Sequence, residues 1–155
     1  PTRLNAAPGI RVVAAPGRVF GHDSEHLYAL TLQPPQVGHY GIGCPNPAPR
    51  LTADTWPRPG EAHFALSSSG HAPGSSVLYV VGTASTAQPV GNCTLLVQPG
   101  GPLAASLADA HGNSRLSVPL APLPALVGFR AFAQAWSLDP TGLRGTNALE
   151  VTIGS

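Results

Sequence analysis

Apolar and polar residues alternate most cleanly toward the C-terminus. Phe132, Gln134, Trp136 and Leu138 interleave with Ala131, Ala133 and Ala135, and Leu149, Val151 and Ile153 interleave with Glu150 and Thr152. A repeat of two sends successive side chains to opposite faces of an extended chain, so both stretches predict strands with one face in a core. Ala133 and Ala135 fill little volume, and that face requires the close approach of a facing sheet or of another chain. From Tyr40 onward, shorter β-rich runs recur around Leu51 and over 62–67, 76–81, 93–98, 103–107, 114–120, 128–138 and 147–153, with Gly, Pro, Asn and Ser between them. That spacing predicts an all-β fold, an antiparallel β-sandwich of the jelly-roll or immunoglobulin-like kind, with 122–127 as the one candidate helical turn.

Residues 1–39 read as an N-terminal extension and 40–155 as the sandwich domain. Within the extension, 10–15 is a β-rich run between two Pro-Gly pairs, and 26–33 carries Tyr28, Leu30 and Leu32 on one face. Both predict strands, and the polar stretch 21–25 between them predicts a loop. Pro34-Pro35 ends the second strand, because neither proline can donate to a ladder.

Composition narrows the classes. With 18 Gly and 18 Pro among 155 residues, a helical bundle is excluded. Charged residues are 10% of the chain and the net charge is +1, the cations all being Arg dispersed from Arg3 to Arg144, so no basic patch for nucleic acid is present. The longest apolar stretches, 77–81 and 119–127, fall short of a membrane span. Two Cys in a chain without Lys or Met, rich in Thr, Ser, Pro and Gly, fit an exported protein, and an opening Pro1 fits numbering that follows a removed signal or upstream segment. Cys44 lies in a Gly-Cys-Pro turn and Cys93 opens a predicted strand. A bridge between them would close a loop of about 49 residues, worth about 4 kcal/mol on the chain-entropy account. Two free thiols or a metal site are the alternatives, and neither Cys has a Cys-x-x-Cys partner or a nearby His.

Tyr40-Gly-Ile-Gly-Cys-Pro45, Gly91-Asn-Cys93, Asp109-Ala-His-Gly-Asn-Ser114 running into Ser117-Val-Pro-Leu120, Leu126-Val-Gly128, Ala133-Gln-Ala135 and Thr146-Asn-Ala-Leu149 follow one another in an order that resembles a small secreted β-domain. Such domains occur in exported proteins of planctomycetes, myxobacteria and similar GC-rich bacteria, commonly at the C-terminus of longer chains. The resemblance covers about residues 40–155. It implies a β-sandwich with a Cys pair and export, carries no established enzymatic activity, and supplies no catalytic residue.

Candidate chemistry is sparse. His22-Asp-Ser-Glu25-His26 matches H-x-x-E-H, but that zinc pattern needs a helix to bring both His to one face, and the flanks here are strand-like. A solvated loop is the expectation, with Ca²⁺ or Zn²⁺ contact by these groups as the sharper alternative. Ser67-Ser-Ser-Gly70-His71 offers Ser and His in a turn-rich stretch and reads as a β-turn rather than a nucleophile with its base. Without Lys there is no Walker-type phosphate loop. Asn92-Cys-Thr94 is the N-x-[ST] acceptor triplet, and Thr52, Thr55, Ser85 and Thr86 are compositional candidates for O-linked sugar. Trp136 reads as core, whereas Trp56, in Thr55-Trp-Pro-Arg-Pro59, remains open as a sugar platform.

The sequence therefore leads to an expectation of a non-enzymatic extracellular structural subunit, secreted or at the cell surface, without metal or cofactor. Its N-terminal strand segment, presenting Ile10, Val12 and Val13 or Tyr28, Leu30 and Leu32, is donated head to tail to the sandwich of the next copy, building a fibril. Covalent or bound glycans are the other partners considered. The competing expectation is an accessory glycan-binding or surface-anchoring module whose extension folds back on its own sandwich.

Overall fold

The computed structural model describes residues 11–15, 17–22, 27–100 and 103–155. Thirteen strands and a single 3₁₀ turn at Pro124–Leu126 are present among them. The N-terminal strands β1 (Arg11–Ala15), β2 (Arg18–His22) and β3 (Leu27–Thr31) form a three-stranded antiparallel meander of their own. Two of them match the expected strands. The third, β2, is an additional strand that pairs with both. The central sheet has five strands in the order β10 (Ala104–Leu107), β7 (Ser76–Gly82), β12 (Arg130–Asp139), β13 (Gly142–Thr152) and β4 (Gln36–Tyr40). Against one face lies a three-stranded sheet, β11 (Ser114–Ser117), β6 (Ala65–Ser69) and β5 (Arg50–Ala53), and against the other a hairpin of β8 (Ala84–Val90) and β9 (Cys93–Gln98). All pairings are antiparallel, as expected for a β-sandwich.

Several boundaries differ from the sequence-based expectation. Val37 and His39 pair with Val151 and Leu149, so the central sheet begins at Gln36 and not at residue 40. Strand β11 stops at Ser117, ahead of Pro119, and the Ser67-Ser-Ser run is strand β6 rather than a turn, with the turn falling at Gly70, whose φ is +83°. Strand β12 has both faces covered from Phe132 to Ser137, not one. On one side Ala133 and Ala135, with Val77, Tyr79, Leu149 and Val151 of the same sheet, cluster with Leu51, Phe64 and Leu66. On the other, Phe132 and Trp136 pack with Val80, Leu96, Val97 and Ala148 under the hairpin. The small alanine face is met by the facing sheet, which is one of the two partners that its volume called for.

The chain re-enters the sheet at its end. Gln33 accepts a hydrogen bond from the Ser155 backbone N–H at 2.8 Å, and Gly154 donates to Pro57 O at 2.9 Å. The N-terminal meander is thus tied to the sandwich where β13 finishes and β12 starts.

Candidate functional site

Cys44 and Cys93 form a disulfide across 49 positions, with Cα atoms 5.4 Å apart. It joins the segment after β4 to the start of β9, the second strand of the outer hairpin. Cys44 also exchanges backbone hydrogen bonds with Gly145, at 2.7 and 2.9 Å. This close approach explains the glycines of the Tyr40-Gly-Ile-Gly-Cys44 segment. A Cβ at Gly41 would strike the Leu96 side chain, and one at Gly43 would stand 2.7 Å from Gly145 O.

The hairpin has a second clamp. Gln134 is buried, and its Oε1 accepts from the Leu96 N–H at 2.9 Å while Nε2 donates to Thr94 O at 3.1 Å and Thr146 O at 2.9 Å. One amide thereby satisfies backbone groups on β9 and β13 at once.

A groove of about 760 Å³ runs beside the free edges of β4 and β5, lined by His39, Gly41 to Gly43, the Pro47-Ala-Pro49 rim, Leu51 and Asn147. Ile42 on its lip is 88% exposed. Asn147 stands where one β12 residue, Ala135, faces two residues of β13, a bulge that re-aims its side chain. Its Oδ1 accepts from the Leu51 N–H at 3.0 Å and its Nδ2 donates to Leu51 O at 3.2 Å, so the amide occupies the position of a neighbouring strand on the edge of β5. A second hollow, of about 570 Å³, is lined by Thr52, Ser67, Leu107, Asp109, Asn113 and Arg115.

His71 is buried, with Nδ1 2.8 Å from Ser137 Oγ. Burial lowers its pKa below the ordinary imidazole value, and the nearby Arg144 charge lowers it further, against an opposing effect of Asp139. Ser68 does not join this pair; its hydroxyl lies 3.0 Å from Tyr79 Oη, which donates to Ser114 Oγ at 3.1 Å. The Ser and His of the 67–71 run are therefore parts of two separate buried networks. This pairing of His71 with Ser137 crosses 66 positions, and no local motif points to it.

Of the proposed donor residues, Ile10 lies outside the described residues. Val12 and Val13 belong to β1, Tyr28 and Leu30 to β3, and Leu32 follows β3 and donates its N–H to Gly17 O at 2.8 Å. Of the H-x-x-E-H pattern, His22 ends a strand rather than sitting on a helix, while Asp23, Glu25 and His26 lie outside the described residues. Asn92 is exposed in the β8–β9 turn, and Thr52 and Ser85 are exposed on strands. Thr86 is half-buried. The Thr55 hydroxyl is buried, which corrects its reading as an accessible sugar acceptor. Trp136 is in the core as expected, whereas Trp56 is 59% exposed. No helix among the described residues is long and apolar enough to cross a membrane. Comparison with protein-family models, with curated proteins and with solved structures found no match.

Proposed function

We propose that the protein is an extracellular structural subunit that assembles head to tail, each copy laying its N-terminal strand segment against the sandwich of the next. The observation that carries this reading is the division of the β structure. Strands β1, β2 and β3 hydrogen-bond among themselves as a sheet separate from the five-stranded sheet, and the chain joins the two through Gln33-Pro34-Pro35. A three-stranded meander needs a surface for one of its faces to be stable in water. A heterologous contact with a second copy supplies that surface and, where the rotation does not close, propagates as a filament. Burial of three alternate residues such as Tyr28, Leu30 and Leu32 would contribute roughly 5–8 kcal/mol before ordering costs. The disulfide and the resemblance of residues 40–155 to exported β-domains support an oxidising, extracellular setting.

The test compares the full chain with one that begins at Gln33, by gel filtration and negative-stain microscopy. The full chain forms filaments and the shortened chain is a folded monomer. A full chain that stays monomeric at high concentration, or a shortened chain that gives the same filaments, overturns the reading. One observation favours a second reading, an accessory glycan-binding or surface-anchoring module: the exposed ring of Trp56, which offers a flat apolar platform. A compact monomer whose Trp56 fluorescence responds to polysaccharide would select it.

A further inference from the structure

The outer face of the central sheet is only half covered. The β8–β9 hairpin closes over Val80, Phe132, Trp136 and Ala148, and the face continues beyond it toward the β12–β13 turn. Directly paired residues share a face of a sheet. Trp136 pairs with Leu78 and Leu78 with Ala105, which makes one row across β12, β7 and β10. Two residues nearer the turn, Leu138 pairs with Leu143, and Leu107 of β10 lies in the same row on that face, with the exposed Ser76 of β7 between Leu138 and Leu107. These two rows hold Leu78, Leu107, Leu138 and Leu143, all exposed, with Leu138 71% and Leu107 68% accessible. Leu78 in the one row links Leu138 and Leu107 diagonally around Ser76 in the other, so the four leucines make one apolar patch with a polar residue within it, unlike singly scattered surface leucines.

We infer that this patch is the acceptor for the N-terminal strands of a second copy, which complete the outer layer that the β8–β9 hairpin begins. The inference rests on the head-to-tail reading above and adds the surface to it. Its argument is one of position and reach. The N-terminal segment leaves the sandwich at Gln33, beside Ser155 and Gly128, where β12 starts and β13 ends. The patch lies at the other end of those strands, next to Asp139 and Gly142. Strand β12 has ten residues, or roughly 33 Å at the rise of an extended chain. Each meander strand has five, or roughly 17 Å. A meander hung from Gln33 thus spans about half the distance to its own chain's patch, while the patch of a copy stacked end to end is adjacent to it. Donor and acceptor at opposite ends of one molecule define a filament axis.

The groove beside β5 is a weaker acceptor. Its edge backbone at Leu51 is already bonded to Asn147, and Pro49 has no N–H to give. The hollow lined by Ser67, Asp109 and Arg115 offers a Val- and Leu-bearing strand a single apolar counterpart, Leu107.

Leu138→Arg and Leu107→Glu test the assignment in the full chain. Both side chains are largely solvated, so each variant unfolds at the wild-type denaturant concentration. Each loses filament mass at least about tenfold in sedimentation, as expected when a charge must be buried against an apolar strand. The chain beginning at Gln33, which keeps the patch and lacks the donor, shortens wild-type filaments when added in equimolar amount. The same shortened chain carrying Leu138→Arg leaves their length unchanged. If both full-length variants assemble like wild type while the shortened chain does not, the acceptor lies elsewhere and this inference is overturned, with head-to-tail assembly intact. If the shortened chain itself polymerises, or the full chain never does, the functional reading falls and this inference with it.

Discussion

At the scale of the residue, single polar side chains hold this small-residue core in register. Gln134 answers three buried backbone groups, and Gln134→Leu leaves the Leu96 N–H and the Thr94 and Thr146 carbonyls without it. Each orphaned group costs about 1–3 kcal/mol, some of it recovered by relaxation, so the variant should lose about 2–4 kcal/mol of stability in urea titrations. A loss below about 0.5 kcal/mol would mean that the hairpin does not depend on this amide. His71 gives the fold a pH dependence of defined sign. Its folded pKa is lowered, mainly by burial, so between the folded value and the unfolded value near 6.5 the unfolded chain holds more protons. The contribution is fully present above the unfolded pKa and is lost as pH falls through the window beneath it. The urea midpoint should therefore rise between pH 5 and pH 7.5, and His71→Gln should flatten that rise. An unchanged slope in the variant would place the dependence on other groups.

Elements were legible in the sequence to the extent that their burial was one-sided or their punctuation strong. Strand β9 lies at the expected 93–98, and β7 and β10 lie within a residue of expectation, because apolar side chains recur between Gly and Pro. Strand β8 escaped notice since Ala84–Val90 is polar, largely exposed and contains Pro89; it is a strand by virtue of β9, not by its own pattern. Strand β4 was hidden by its position behind Pro34-Pro35 and by Gly38, which weaken any local signal. The double-sided burial of β12 was half visible, in the alanines, but the layer over Phe132 and Trp136 comes from a hairpin of which only β9 carries a signature. The site candidates fared similarly: the Cys pair stood out by isolation, while Asn147 and Ser137 act through partners far away in the chain. The outer hairpin also yields an element-scale prediction. Replacing both Cys44 and Cys93 with Ala should cost about 2–4 kcal/mol, the usual range for a bridge over a long loop. Amide exchange should accelerate first at Thr94 to Val97, and uniform acceleration across the whole sheet would reject the view that the bridge serves the hairpin locally.

For the whole molecule, the link between meander and sandwich is shorter and better fastened than the prolines suggest. Gln33 bonds to Ser155 in both directions, and β4 is laddered to β13 from Gln36 onward. Limited proteolysis should leave a core beginning no later than Gln33. A stable fragment starting within 36–43 would contradict the pairing of β4. The amide of Asn147 has a consequence for how many directions such a molecule can grow in. By satisfying both backbone groups of Leu51, it makes an outermost strand look already occupied to any strand approaching sideways. Under the head-to-tail assembly proposed above, a blunted flank together with an apolar patch near the β12–β13 turn would favour threads over ribbons or plaques. Asn147→Ala removes the plug without touching the patch, and its solutions should scatter more light with time as molecules adhere flank to flank. Clear solutions of that variant at high concentration would show that the flank is sealed by something other than one side chain.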